Sequence, residues 1–168
     1  MNSEFLLEKL KDSSEYKTFV KENKDAYLCS GFFVIDMENK ETGNQYHFDF
    51  FVSESKKTFS FELENEIKLV PLERIDEKVL EKVAMKDNFN FDEIEKIISR
   101  EMEFKKINNK IQKMIFSLQN VKGKDVLLGT IFVSGFGMLK VNLDLKDKRI
   151  TDFEKKSFFD MLNIMRKK

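Results

Sequence analysis

Tyr46-His47-Phe48-Asp49-Phe50-Phe51-Val52 is the stretch on which the fold turns. Tyr46, Phe48, Phe50 and Val52 alternate with His47, Asp49, Phe51 and Ser53, the two-residue period of a strand with one face in a core. Glu54-Ser55-Lys56-Lys57 reads as a turn, and beyond it Phe59, Phe61 and Leu63 alternate with Thr58, Ser60, Glu62 and Glu64. Upstream, Tyr27 to Met37 is an aromatic and β-branched run around Gly31, which inside a strand marks a bulge or a close approach. The polar stretch Glu38 to Asn44 joins it to the alternating segment. Three strands in succession with short turns predict an antiparallel meander with one face in water.

Helical spacing flanks the meander. Phe5, Leu6, Leu7 and Leu10, continued by Tyr16, Phe19 and Val20, predict a helix over Glu4 to Asn23. Asp12-Ser13-Ser14 compete for backbone hydrogen bonds and break it into two pieces. Downstream, Ile75 to Lys86 reads as a short helix, capped by Asp76 and stapled by Ile75 on Leu80.

The same order then recurs. Asn90-Phe91-Asp92-Glu93 has the cap-x-x-Glu pattern of a helix start, and Ile94, Ile97, Ile98 and Met102 follow at helical spacing to about Ile107. Met114 to Gln119 alternates, Val126 to Val133 is nearly continuous apolar sequence, and Leu139, Val141, Leu143 and Leu145 alternate with polar neighbours. Thr151-Asp152-Phe153-Glu154 repeats the cap pattern and predicts a terminal helix. Phe51-Val52-Ser53 and Phe132-Val133-Ser134 end the second strand of each set. The expectation is therefore an α+β protein of two tandem helix-plus-three-stranded meander units. Residues 1–72 form the first unit, 73–88 a connecting helix, and 89–168 the second unit with its C-terminal helix.

Met114 to Gln119, a Gly-containing turn, Val126 to Val133 and Leu139-Lys140-Val141-Asn142-Leu143-Asp144 resemble the strand pattern of PepSY-like, cystatin-like αβββ domains found in tandem in small archaeal proteins. The stretch from Asp144 to Lys148-Arg149-Ile150 is similar to the end of that unit, without the glycine often present in its turn. The resemblance implies no catalytic residues and points to a binding or inhibitory module.

Composition narrows the function further. The chain has 168 residues, with 30 Lys+Arg against 30 Asp+Glu. Zero net charge argues against nucleic acid as the main partner and permits self-association. The single cysteine, Cys29, excludes an intramolecular disulfide. The start Met1-Asn2-Ser3-Glu4 lacks a secretory leader pattern, and no run approaches the roughly 18 apolar residues of a membrane helix. A cytoplasmic location is expected, with no membrane partner.

Candidate residues are few. His47 shares a strand face with Asp49 and Phe51, a pairing short of a metal site. Cys29 in an apolar strand reads as a buried thiol, and an enzyme built on Cys29 with His47 ranks last for want of any local signature. Ser134-Gly135-Phe136-Gly137 is a tight turn whose Phe136 can meet a partner. The expected contact set is Phe136, Gly135, Gly137, His47 and Phe51, with no catalytic, cofactor-binding or metal residue and no small-molecule ligand. The leading functional expectation is a non-catalytic protein–protein interaction module that binds a protein partner or a second copy. The alternative is a peptidase inhibitor or chaperone-like peptide binder.

Overall fold

The computed structural model describes residues 1–73 and 78–166. Helices α1 (Ser3–Asp12) and α2 (Ser14–Glu22) lead into strands β1 (Ala26–Asp36), β2 (Gln45–Val52), β3 (Lys57–Glu62) and β4 (Lys68–Leu72). Helix α3 (Phe91–Phe104) precedes β5 (Ile111–Val121), β6 (Lys124–Val133), β7 (Gly137–Asp144) and β8 (Arg149–Ser157), and α4 (Phe158–Arg166) follows.

All eight strands belong to one antiparallel sheet in the order β4-β3-β2-β1-β5-β6-β7-β8. This overturns the expected pair of three-stranded PepSY-like, cystatin-like units. β1 and β5 pair directly, Gly31 opposite Leu118 through Asp36 opposite Lys113, so one continuous sheet replaces two tandem ones. Each outer end carries a strand beyond the alternating segments. β4, Lys68-Leu69-Val70-Pro71-Leu72, has no alternating pattern and holds the lone proline, which an edge strand tolerates. β8 spans Thr151 to Glu154, so the capping pattern there lies in a strand and the helix begins only at Phe158. Pairing with β7 overrode a local preference worth little by itself.

The connecting helix is also corrected. Ile75, Asp76 and the staple of Ile75 on Leu80 lie outside the described residues, and 78–88 holds no helix. That segment runs along one end of the sheet. The Leu80 carbonyl accepts from Tyr27 Oη (3.1 Å), Val83 N–H donates to Leu28 O (2.9 Å), and Met85 N–H donates to Asp125 Oδ2 (2.9 Å). Val83 is buried in the core, so the apolar Leu80/Val83 spacing that mimics a helix serves an extended chain with one anchor.

The helical breaks are where side-chain chemistry puts them. Ser13 Oγ accepts from Tyr16 N–H (3.2 Å) to cap α2, and Asn90 Oδ1 accepts from Asp92 N–H (2.8 Å) to cap α3. α1, α2 and α3 lay Leu6, Leu10, Phe19, Phe91, Ile94, Ile98 and Met102 on one face of the sheet. The abundant phenylalanines mostly fill this core. Phe19 meets Phe50, Phe59 and Phe61 edge-on at 6.0, 5.5 and 5.3 Å. A Cβ on Gly129 would lie 2.8 Å from the Phe116 ring and 3.1 Å from the Val141 carbonyl, so the ring takes the space that a side chain would need.

Candidate interaction surface

The sheet face turned away from α1, α2 and α3 is built from the residues that alternate with the core set. Strand register orders them in rows. His47, Phe32, Ser117, Leu128 and Asn142 stand side by side on β2, β1, β5, β6 and β7. Gln45, Val34, Ile115, Thr130 and Lys140 form the next row, and Asp36, Lys113, Phe132 and Met138 the next. Phe32, Val34, Ile115, Leu128, Phe132 and Met138 thus make a continuous apolar centre over four strands. Phe32 and Phe132 remain 38 % and 39 % exposed. A wet face was expected here, yet its middle is apolar. The signal was present in adjacent apolar pairs: Phe32-Phe33, Val34-Ile35, Ile115-Phe116, Leu127-Leu128, Ile131-Phe132 and Met138-Leu139. In a strand, each pair puts one member on each face.

The rim of this face carries charges of both signs on both sides, Lys68 beside Glu62 at one margin and Glu154 and Asp152 among the lysines at the other. On the β2–β3 side lie Glu62 and Glu64, and Glu64 Oε1 sits 2.8 Å from His47 Nε2. Glu64 Oε1 also accepts from Tyr46 N–H (2.9 Å), which fixes the carboxylate beside the imidazole. On the β7–β8 side lie Lys140, exposed and opposite Glu154, Lys156, 3.8 Å from Glu154, and Asp152 opposite Asn142.

The expected contact residues do not come together. Gly135, Phe136 and Gly137 form the β6–β7 hairpin tip, with Gly135 at φ 76° and Phe136 at φ 58°. Phe136 is 81 % exposed. The tip is tied to the 109–110 segment: Ser134 N–H donates to Lys110 O (2.8 Å), and Lys110 N–H donates to Ser134 Oγ (2.9 Å). Phe132, Phe136 and Met138 share a cavity of about 270 Å³, so this tip borders the apolar centre. His47 lies in mid-strand at 5.9 Å from the Phe32 ring. Phe51 is buried toward the other end of the sheet, its ring 5.6 Å from Tyr27.

Cys29 and His47 turn to different partners. Cys29 sits at the β1 bulge between Leu28 and Ser30, wholly buried, with Sγ 3.4 Å from the Asp49 carbonyl. The His47 imidazole faces Glu64 instead. Among the described residues, no three His, Cys, Asp or Glu side chains converge as metal ligands, and no helix is long and apolar enough to cross a membrane.

The fold has a solved counterpart. It is similar to the crystal structure of a "putative lipoprotein" from Clostridium difficile 630, with a TM-score of 0.55 and 15 % sequence identity. The match covers 84 % of this chain and 90 % of that one, and at such identity it shows the fold alone. No protein-family model and no curated protein matches the sequence.

Proposed function

We propose that the chain is a non-catalytic protein–protein interaction module whose contact surface is the open sheet face, and that its partner there is a second copy. The observation that carries this reading is the apolar centre with half-exposed Phe32 and Phe132 on the face opposite the helices. Such a patch, bounded by polar side chains, marks a site of association. Symmetry permits self-contact. A two-fold axis parallel to the strands lays the Glu62/Glu64 side of one copy over the Lys140/Lys156 side of the other, and the reverse. The balance of 30 cationic against 30 acidic residues adds little repulsion between copies.

Light scattering on the intact chain tests this. A protomer of 20.0 kDa is expected to run at twice its mass. Phe32→Ser with Phe132→Ser should return it to one mass unit with its circular dichroism unchanged. Lys140→Glu should weaken association, and adding Glu62→Lys should restore it. A single-protomer mass for the unaltered chain at about 100 μM, where an interface of standard size is formed, overturns the reading.

A further inference from the structure

A second surface lies on the helix-bearing side, where α3 and β8 run near each other without closing the space between them. The groove holds about 490 Å³ and is lined by Ile97, Arg100, Glu101 and Phe104 of α3 and by Lys148, Arg149 and Ile150 at the entry to β8. β8 ends the sheet, with β7 as its neighbour on one side. Along such an edge, every second residue turns its N–H and C=O outward.

The groove has an apolar floor and a cationic margin. Ile97, Ile150 and Phe153 pack against the core from this side, while Phe104 stands 81 % exposed. Lys105 Nζ lies 5.2 Å over the Phe153 ring, and Lys155 follows on the same side of β8. Lys105 meets Glu101 at 3.6 Å, Lys148 meets Glu93 at 3.2 Å, and Arg149 meets Asp147 at 3.9 Å. Arg100 and Lys155 have no carboxylate partner among the described residues. Among the described residues, the margin therefore keeps an excess of positive charge beside an apolar floor and a strand edge that no other strand pairs.

We infer that this groove binds an extended acidic peptide, which adds as a strand to β8. Backbone groups of the peptide pair with the β8 edge, and every second side chain turns toward α3. The chemistry of the groove then sets the sequence that fits: an apolar side chain over Ile97, Ile150 and Phe104, with a carboxylate two positions away on either side. Those carboxylates reach Arg100 and Arg149 at one end and Lys105 and Lys155 at the other. The bulge at Thr151 and the lysines of β8 discourage indiscriminate pairing, so selection falls to charge. This surface is on the opposite side of the sheet from the proposed contact between copies and stands or falls separately.

Fluorescence anisotropy with a labelled synthetic peptide, Ser-Thr-Glu-Thr-Leu-Thr-Glu-Thr-Ser, tests the inference on the full chain. Binding is expected, and Arg100→Glu with Lys155→Glu should weaken it by about tenfold or more, since both side chains are exposed and the fold does not depend on them. Raising the salt from about 50 to 500 mM should weaken it several-fold. Methylating alternate peptide nitrogens should abolish it. Phe32→Ser with Phe132→Ser should leave it unchanged, which separates this outcome from failure of the contact between copies. No binding at millimolar peptide, equal binding of a peptide with both glutamates replaced by lysine, or equal binding of the methylated peptide overturns the inference. Binding of phosphatidylglycerol vesicles in place of the peptide overturns it too, because the groove would then be reading a lipid surface.

Discussion

Asp36 and Asp144 occupy matching positions at opposite ends of the sheet. Each is the last residue of its strand and nearly inaccessible. Asp36 Oδ1 accepts from Glu38 and Asn39 N–H at 2.9 Å each, and Asp144 Oδ1 accepts from Lys146 and Asp147 N–H at 2.9 and 3.1 Å. Each also faces a lysine of the adjoining strand, Lys113 at 3.3 Å and Lys124 at 3.5 Å. A short acceptor thus closes each turn where the strand stops.

These contacts predict an acid-sensitive fold. The Asn39 N–H leads in lowering the Asp36 carboxyl pKa, with Glu38 N–H and Lys113 adding to it against the opposing effect of burial. The Asp147 N–H leads for Asp144, helped by Lys124 and the Lys146 N–H, again against burial. Carboxyls lowered in the folded state stabilise it at pH values above their unfolded pKa of about 3.9, and that gain disappears as pH falls through the native values. Thermal melts from about pH 7 down to 2 should show a steeper acid loss in the native chain than in Asp36→Asn/Asp144→Asn. Parallel curves would refute the assignment.

Gly129→Ala should destabilise the protein by about 1–3 kcal/mol, because the added carbon meets the Phe116 ring and a backbone carbonyl that cannot both yield. Urea denaturation measures it. An unchanged midpoint would show that the ring moves freely.

Phe136→Gly should change stability and association in opposite directions. A left-handed backbone at φ 58° costs a non-glycine residue about 1 kcal/mol, so the variant should melt higher. It should also associate less, as the ring borders the apolar centre of the open face. A lower melting temperature would contradict the strain argument.

Thr58 Oγ1 is buried with no hydrogen-bond partner among the described residues. Thr58→Val keeps the shape and removes the unpaired hydroxyl, so a gain of up to about 1 kcal/mol is expected in chemical denaturation. A loss of that size would mean the hydroxyl is satisfied after all.

Cys29 should resist a thiol reagent such as Ellman's in the folded chain and react promptly in denaturant, as its side chain is fully covered. Fast labelling under native conditions would place the bulge at the surface.

Much of the secondary structure was legible in the residues. The two-residue period of Tyr46 to Val52 and of Phe59 to Leu63, and the caps at Ser13 and Asn90, are local signals with local outcomes. The join between the halves was not legible, because nothing in Gly31 to Asp36 announces that Leu118 to Lys113 will lie beside it. Thr151-Asp152-Phe153-Glu154 carried a helix signal that was overruled by the β7 backbone. Of the expected contact residues, Phe136 stands exposed at a hairpin tip, where its flanking glycines put a turn. Phe32 and Phe132 lie in the apolar runs Tyr27 to Met37 and Val126 to Val133, where no two-residue alternation marks which face each side chain takes.

The β1–β5 pairing sets the order in which this molecule can assemble. The other strand pairings join neighbours in sequence through short turns, whereas Gly31 must find Leu118 across the intervening chain. Non-local closure of that kind slows folding, and until it occurs two apolar strands lie bare to solvent. A single cut between residues 78 and 88 would leave two fragments that are each locally complete, and tight rejoining of them would measure how much of the protein's cohesion resides in its central seam.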